Sequence, residues 1–276
     1  MTESLQKKID QSLRFLDSVS HLGQFELAYS GGKDSDVILD LARRTGSLDI
    51  RPIYKNTTID PPGTIKHVKD MGVEVRMPRE SFAELIKTRG FPTRFSRFCC
   101  RELKEYKILD RCIVGVRRDE SSNRAARYKE PEQCRVWSKK EKSRQYFPIL
   151  DWTTKDVKEY IESRGIQCAP VYYEGGVFHA ERRLGCMCCP LQSKKPRIEQ
   201  FKLYPNMVNI YCKNGNEYIR NHRETKTGQR FDDAYQFFTS YVFYDSYEEF
   251  YDATHHLFGT EDCKTFLENY FNIKLD

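Results

Sequence analysis

Short apolar runs alternating with stretches of helical period predict an α/β fold, a doubly wound parallel sheet with a C-terminal helical extension. Three observations carry that expectation. Four runs of strand length recur between segments whose apolar residues fall at helical spacing. The first run ends in Ser30-Gly31-Gly32, a turn that passes a strand directly into a helix. Beyond Cys189-Pro190 the alternation stops, and aromatic and acidic residues interleave over 231–271.

Taken in order, Leu5, Ile9, Leu13 and Leu16 share one face of an opening amphipathic helix. Residues 25–29 read as a strand and 34–44 as the helix after it. A second strand spans 51–56, and after Pro61-Pro62 a helix runs to Met71. The third strand is 73–77, followed by a helix over 81–89. "CIVGV", 112–116, is a fourth strand, apolar enough to be buried on both faces. The segment 117–144 is too charged for a core and is expected to form mobile loops near a site. Trp152-Thr153-Thr154 with Asp156 marks the start of a helix that runs to Arg164. No internal repeat or low-complexity linker is visible. The division between a sheet-forming region, 1–190, and a mostly helical aromatic and acidic region, 191–276, is therefore soft.

Hydrophobic residues make up 39% and aromatics 13% of the 276-residue chain, a composition that fits a folded protein and argues against disorder. The first residues lack the apolar centre of an export signal, and no apolar run approaches membrane-spanning length. A soluble cytoplasmic protein with no membrane partner is expected. Without an export signal, ten cysteines with several at close spacing point to metal binding rather than to disulfides. The net charge of +6 hides an asymmetry: residues 231–276 hold two Lys and ten acids, hence −8, leaving +14 for the rest. The basic part suits phosphate-bearing ligands or nucleic acid, or simply a solvated surface, and the acidic end suits neither ligand.

The stretch "LAYSGGKDSDVILDLARR", 27–44, places two glycines where strand becomes helix. Such a turn leaves backbone N–H groups unpaired, glycine lets a ligand approach, and the helix N-terminus and Lys33 add positive charge. A phosphate or pyrophosphate suits it; a tight turn with no ligand is the alternative. The spacing is not that of a Walker loop. "SGGKDS" resembles the pyrophosphate loop of the N-type ATP pyrophosphatases, or PP-loop enzymes, which cleave ATP between its α and β phosphates. The resemblance implies that Ser30, Gly31, Gly32, Lys33, Asp34 and Ser35 cradle the leaving pyrophosphate. Lys33 would neutralise it, and Asp34 would cap the helix or help place Mg²⁺.

"NTTIDPP", 56–62, sits where that family keeps its adenine-nucleotide pocket, which adds Thr57, Thr58 and Asp60. "GVRRDESSNR", 115–124, resembles the Gly-x-Arg-Arg segment of phosphoadenosine phosphosulfate (PAPS) reductases. "PILDWTTKDVKEYI", 148–161, is similar to a further segment of the same group. The four agree in order and spacing over residues 20–192, so 1–190 reads as a PAPS reductase-like PP-loop nucleotide-binding domain. Arg117 and Arg118, close after a buried strand, can reach anions at the sheet's carboxyl end, with an exposed basic loop as the alternative. Asp119 and Glu120 are read as orienting them, Glu120 also as a contact for Mg²⁺, and Arg124 as a lesser candidate.

"RFCCRELK", 97–104, sets Cys99 beside Cys100, and "LGCMCCPL", 184–191, supplies Cys186, Cys188 and Cys189. Cys186-x-x-Cys189 is a chelating turn. The Cys-Cys…Cys-x-x-Cys order resembles that of adenylylsulfate reductases and other iron–sulfur members of the family. It implies a [4Fe–4S] cluster on Cys99, Cys100, Cys186 and Cys189. Zinc on the same thiolates, an unmetallated thiol cluster, and Cys188 in place of one of the adjacent pair stay open. Cys112 reads as core, while Cys134, Cys168, Cys212 and Cys263 have no partner at metal spacing. His179 reads as structural, and His255-His256 gives no recognisable site.

A sulfonucleotide reductase of this family uses a nucleophilic thiol in a C-terminal Glu-Cys-Gly-Leu-His. This chain ends "FNIKLD", and Cys263 in "EDCKTF" lacks that setting. Lys33 also suits a substrate with a pyrophosphate to lose. The expectation is an ATP pyrophosphatase that adenylylates an acceptor, with sulfur transfer or incorporation as the outcome and Lys33, Asp34 and Arg117 as the catalytic set. A thiol-dependent adenylylsulfate or PAPS reductase and a non-catalytic nucleotide- and metal-binding module are the alternatives. The implied ligands are ATP, Mg²⁺ and the cluster. The implied partners are an adenine nucleotide and either a nucleic acid or a sulfur-donor protein, with oligomerisation open.

Overall fold

The computed structural model describes residues 2–106, 109–136, 142–254 and 262–276, so His255 and His256 lie outside the described residues. The chain divides into two compact units. One comprises Met1–Asn56, Asp60–Met77 and Glu105–Gly185, the other Thr57–Ile59, Pro78–Lys104 and Cys186–Asp276.

In the first unit six strands form one sheet: β1 (Phe25–Tyr29), β2 (Ile50–Lys55), β3 (Glu74–Arg76), β4 (Arg111–Val114), β5 (Glu132–Val136) and β6 (Lys142–Tyr146). Their order is β3-β2-β1-β4-β6-β5, parallel throughout except at the β5–β6 edge. Helices α1 (Glu3–Val19), α2 (Lys33–Thr45) and α3 (Thr64–Asp70), with a later helix Thr154–Arg164, complete the doubly wound α/β architecture. Leu5, Ile9 and Leu16 of α1 and Ile38 and Leu41 of α2 are buried in one apolar cluster with Phe25, Leu27 and Ile113. Phe25 meets Tyr146 edge-on at 5.2 Å. Because β1 pairs with both β2 and β4, the strand order reverses between β1 and β4. At such a reversal the carboxyl ends of the strands open a crevice where sheets of this kind hold ligands. The segments that leave β1 and β4 there are residues 30–32 and 115–117.

Of 117–144, residues 137–141 lie outside the described residues, and the rest correct the expectation of mobile loops. They hold a 3₁₀ turn, Arg118–Glu120, a helix, Ser122–Arg127, and then the strands of the sheet edge. Glu132, Gln133 and Cys134 on β5 are exposed, so the strand has no apolar face to announce it, and an edge of this composition resists pairing with other chains. In β6 the buried set includes Ser143 and Gln145; Ser143 satisfies its hydroxyl by donating to the Leu109 carbonyl at 2.8 Å.

The helix Thr154–Arg164 starts where its sequence predicts. The Thr153 hydroxyl accepts from the Asp156 N–H (3.2 Å), and the Asp156 carboxylate accepts from the Thr153 N–H (2.7 Å), a reciprocal capping box. Lys8 adds an ion pair to Asp156 at 2.5 Å. Burial works against the Asp156 charge, but Lys8 and the Thr153 donors outweigh it and hold the carboxyl below its ordinary value. With a depressed folded value, the stabilisation is complete above the unfolded pKa of about 4. It is lost as pH falls through the lower, folded value. Asp156→Asn should therefore destabilise by about 1 kcal/mol near neutral pH. It should also flatten the acid arm of the urea midpoint plotted against pH, and an unaltered acid arm would refute the assignment.

The second unit is helical, with Phe82–Arg89, Phe98–Leu103, Lys194–Leu203, Asn206–Asn221, Ala234–Phe243, Tyr247–Thr254 and Cys263–Phe271 as its main elements. Its core gathers Phe82, Leu85, Phe201, Tyr211 and Phe238, and Phe91 stacks on Phe237 at 4.0 Å. Phe238, Phe250 and Phe271 of the acidic region are buried and pack inward, whereas Tyr251 and Tyr270 are exposed. Among the described residues, no helix is long and apolar enough to cross a membrane.

Candidate active site

β1 ends at Tyr29, and Ser30, Gly31 and Gly32 turn the chain into α2. Gly31 has φ +75°, and a Cβ there would meet Thr64 Cγ2 at 3.1 Å and Leu184 Cδ2 at 3.3 Å. The turn needs glycine for both angle and space. Gly32 caps α2 without a side-chain bond, which leaves the positive end of the helix for a ligand. Ser30 Oγ accepts from the Gly32 N–H (3.3 Å) and donates to Ser35 Oγ (3.2 Å), which itself donates to the Gly32 carbonyl (2.6 Å). Two serines thus clamp the turn. Gly31→Ala should destabilise by more than about 1 kcal/mol. An unchanged melting temperature would show that the turn adopts another shape without strain.

The turn opens on a cleft of ≈ 270 Å³ whose lining includes Ser30, Lys33, Glu120, Arg124, Tyr172 and Arg183. The Lys33 ammonium lies 3.2 Å from Asp34 Oδ2 and 5.5 Å from the centre of the Tyr172 ring. The Tyr172 hydroxyl accepts from the N–H groups of Lys33 and Leu184, each at 3.2 Å, which fixes the ring beside the ammonium. Burial pushes that phenol up, so it stays neutral. Glu120 is held on both oxygens, by Arg124 on one and by Arg183 on the other at 3.2 Å. Three cations (Lys33, Arg124, Arg183) therefore line the cleft against two carboxylates (Asp34, Glu120). The surplus charge and the helix N-terminus suit an anion.

Of the residues marked by sequence, Ser30, Gly32, Lys33, Asp34, Ser35, Glu120 and Arg124 line this cleft, and Gly31 forms the turn behind it. Arg117 points elsewhere. Only 1% exposed, it donates to Asp34 Oδ1 at 2.7 Å, and at 3.3 Å to Asp119 Oδ2, the Trp152 carbonyl and Thr154 Oγ1. Asp34 is thus engaged on both oxygens. Asp119 accepts from the Thr154 N–H (2.8 Å) and hydroxyl (3.0 Å), and that N–H is the main cause holding its carboxyl below the ordinary value. Arg118 turns to Asp151 and to the carbonyls of Tyr128 (2.8 Å) and Lys129. Asp60 accepts from the Tyr54 hydroxyl. Thr57 and Thr58 belong to the second unit, where Thr58 Oγ1 accepts from the Phe82 N–H at 2.9 Å. Nothing in the sequence marks Tyr172, Arg183 or Leu184, which stand just before the cysteine-rich turn. Nor does it mark buried Asp36, which accepts from the Tyr29 hydroxyl and lies 2.9 Å from His67 Nε2. Burial pushes the Asp36 carboxyl up against the pull of His67, Tyr29 and Cys168.

All five closely spaced cysteines fall in the second unit and line one apolar pocket with Thr57, Phe82 and Tyr211. Cys99 and Cys100 come from the helix Phe98–Leu103. Cys186, Cys188 and Cys189 come from a turn fixed by two bonds, Met187 N–H to the Ile59 carbonyl (2.8 Å) and Cys188 N–H to Gln200 Oε1 (2.7 Å). Cys188 is fully buried at φ 54°, and burial pushes its thiol up. The hydrogen bond from Cys99 pulls Cys100 down to about 6 against its burial, with help from Arg97 and Lys104; the same bond, with burial, pushes Cys99 up. The donor set fits a thiolate-bound centre in kind, with Arg97 and Lys104 offsetting its charge. As the side chains stand, no group of three or more His, Cys, Asp or Glu among the described residues is arranged to hold a metal ion. Of the remaining cysteines, Cys112, Cys168 and Cys212 are buried, Cys134 is exposed on β5, and Cys263 is half-buried with its thiol pushed up by burial. His179, in the first unit, pairs with Glu181 at 2.9 Å.

A family model described as "Phosphoadenosine phosphosulfate reductase domain" matches residues 24–192. An uncharacterized protein of Methanocaldococcus jannaschii is 28% identical over 203 residues, 67% of this chain and 40% of its own length. This chain thus spans well under half of that relative. Sulfate adenylyltransferase subunit 2 of Rhizobium johnstonii is 25% identical over 224 residues, covering 62% of this chain and 67% of the relative. The crystal structure of phosphoadenylyl-sulfate (PAPS) reductase from Candida auris, a phosphate complex, matches with a TM-score of 0.44 at 15% identity, over 61% of this chain and 90% of that one.

Proposed function

The chain belongs to the phosphoadenosine phosphosulfate reductase domain family, and from that premise we propose that it is a PP-loop enzyme that binds ATP and cleaves it to AMP and pyrophosphate in the cytoplasm, activating an acceptor for sulfur transfer. One observation carries the reading: a glycine-built helix N-terminus opens on a cleft with surplus cationic charge. The β and γ phosphates settle on the turn 30–35, within reach of Lys33. An acceptor nucleophile attacks the α phosphorus and the bond to the bridging oxygen breaks, leaving an adenylylated acceptor while charge builds on the departing pyrophosphate. Lys33 and the turn's amides stabilise that charge more strongly than they bind the ground state. AMP leaves when a sulfur nucleophile, or water in its place, attacks the activated acceptor. Arg124 and Arg183 are the other cations in the cleft, and they exchange Glu120 for phosphate oxygens when ATP enters. Glu120 and Asp34 are the carboxylates that would hold Mg²⁺, which would offset charge on the phosphates. Arg117 supports Asp34 from behind.

Cys99, Cys100, Cys186 and Cys189 are the residues that hold a [4Fe–4S] cluster in this reading, with zinc as the alternative occupant. When bound, the cluster supplies a site for a sulfur atom. The half-buried Cys263 thiol, pushed up by burial and outside the Glu-Cys-Gly-Leu-His setting of the reductases, supports a pyrophosphatase over a reductase. Anaerobic purification with iron and sulfide analysis, followed by incubation with ATP and separately with sulfonucleotides, tests the reading. AMP and pyrophosphate are expected. Release of sulfite from adenylylsulfate would replace the proposal with the reductase, and nucleotide binding without turnover would replace it with a binding module.

A further inference from the structure

The second unit carries an aromatic side chain that neither the nucleotide turn nor the cysteine pocket uses. Phe95 is 100% exposed, although Phe91 and Phe98 are buried on either side of it. The turn between these anchors is ordered. Thr93 N–H donates to the Ser96 carbonyl (3.1 Å), and Thr93 Oγ1 accepts from the N–H groups of Phe95 (3.3 Å) and Ser96 (2.9 Å). At its base the Tyr241 hydroxyl donates to the Pro92 carbonyl at 2.8 Å. Single exposed apolar residues are common on protein surfaces. What sets Phe95 apart is a rigid mount and its charge. Residues 93–104 hold Arg94, Arg97, Arg101 and Lys104 against Glu102 alone, a local +3. Arg94 also donates to the Gln192 carbonyl (3.0 Å), which brings the segment bearing exposed Lys195 to the base of the turn. An open aromatic face on a segment of net positive charge suits unpaired bases strung on phosphates.

We propose that this turn is a binding site for single-stranded nucleic acid, with a base stacked on the Phe95 ring and the flanking phosphates against Arg94 and Arg97. The ring reads a base's π face and the arginines read phosphate, so ribose and deoxyribose oligomers bind alike. A duplex hides its base faces and binds less well. The site goes beyond the ATP reading and does not rest on it, because binding is measured without ATP.

The test is a fluorescence-anisotropy titration of the 276-residue chain with a labelled, mixed-sequence oligonucleotide of about 16 nucleotides, as single strand and as duplex. Phe95→Ala, Phe95→Leu, Phe95→Trp and Arg94→Ala are compared, with far-UV circular dichroism and metal content as checks on folding and on the neighbouring cysteines. The single strand should bind more tightly than the duplex. Phe95→Ala and Phe95→Leu should both weaken it about tenfold. Phe95→Trp should keep the affinity and show quenched emission on binding. Arg94→Ala should lower the slope of log affinity against log salt by about one. Equal binding of duplex and single strand, or Phe95 variants without effect, would overturn the proposal. Full affinity retained by Phe95→Leu would also overturn it, since an apolar protein contact needs no aromatic face.

Discussion

Lys33→Ala should slow formation of AMP and pyrophosphate from ATP by about two to three orders of magnitude, with the fold intact. The size of the effect follows from where the charge sits. The Lys33 side chain is 6% exposed, so its ammonium acts through a medium that screens far less than water. It is anchored by Asp34 and lies beside the fixed Tyr172 ring, so little reorganisation is needed when charge develops on the leaving group. That interaction grows toward the transition state. The loss should therefore fall mainly on kcat, with a smaller rise in KM. Stability should change little, because Asp34 keeps its 2.7 Å bond to Arg117 and is not left as a lone buried charge. Steady-state release of pyrophosphate, beside a urea melt of the same sample, checks both halves. Turnover at the wild-type rate would remove this turn from the chemistry.

The contrast between what the residues announce and what they conceal follows from the range of the interactions. β1 and α2 are legible because strand period, glycine turn and helix period all lie within a few residues of one another. The same is true of the helix after Trp152, whose cap is written locally in Thr153 and Asp156. The partners of Lys33 and Asp34 are not local: Tyr172 lies 139 residues from Lys33, and Arg117 lies 83 from Asp34. A charged residue reads from sequence as solvent-facing, yet Arg117 and Asp36 are among the most buried polar groups of the first unit. β5 was opaque for the opposite reason, since an exposed edge carries no apolar alternation. The cysteine turn shows both cases at once. Cys186-x-x-Cys189 is visible as spacing, whereas the convergence of that turn on Cys99 and Cys100 came from family resemblance, because no local period links the two segments.

Arg117→Ala should be among the most destabilising single changes in the first unit, lowering stability by about 3 kcal/mol. Four acceptors converge on this guanidinium: two carboxylates, one carbonyl and one hydroxyl. Truncation leaves a void under the turn and strands the Trp152 carbonyl without this donor. Asp34 and Asp119 are 18% and 41% exposed in their side chains, so water recovers part of their solvation and holds the loss near the lower end of the range for broken buried pairs. Arg117→Lys should fall between wild type and alanine, since one ammonium cannot meet four acceptors spread around a planar fork. The alternative, an arginine that reaches into the cleft for phosphate, makes the opposite forecast. The alanine variant would then melt like wild type in the absence of nucleotide and lose only turnover. Urea midpoints measured without ATP separate the two. A wild-type midpoint would return Arg117 to the phosphates, whereas a large drop makes it the residue that holds Asp34, and through Asp34 the ammonium of Lys33, in place.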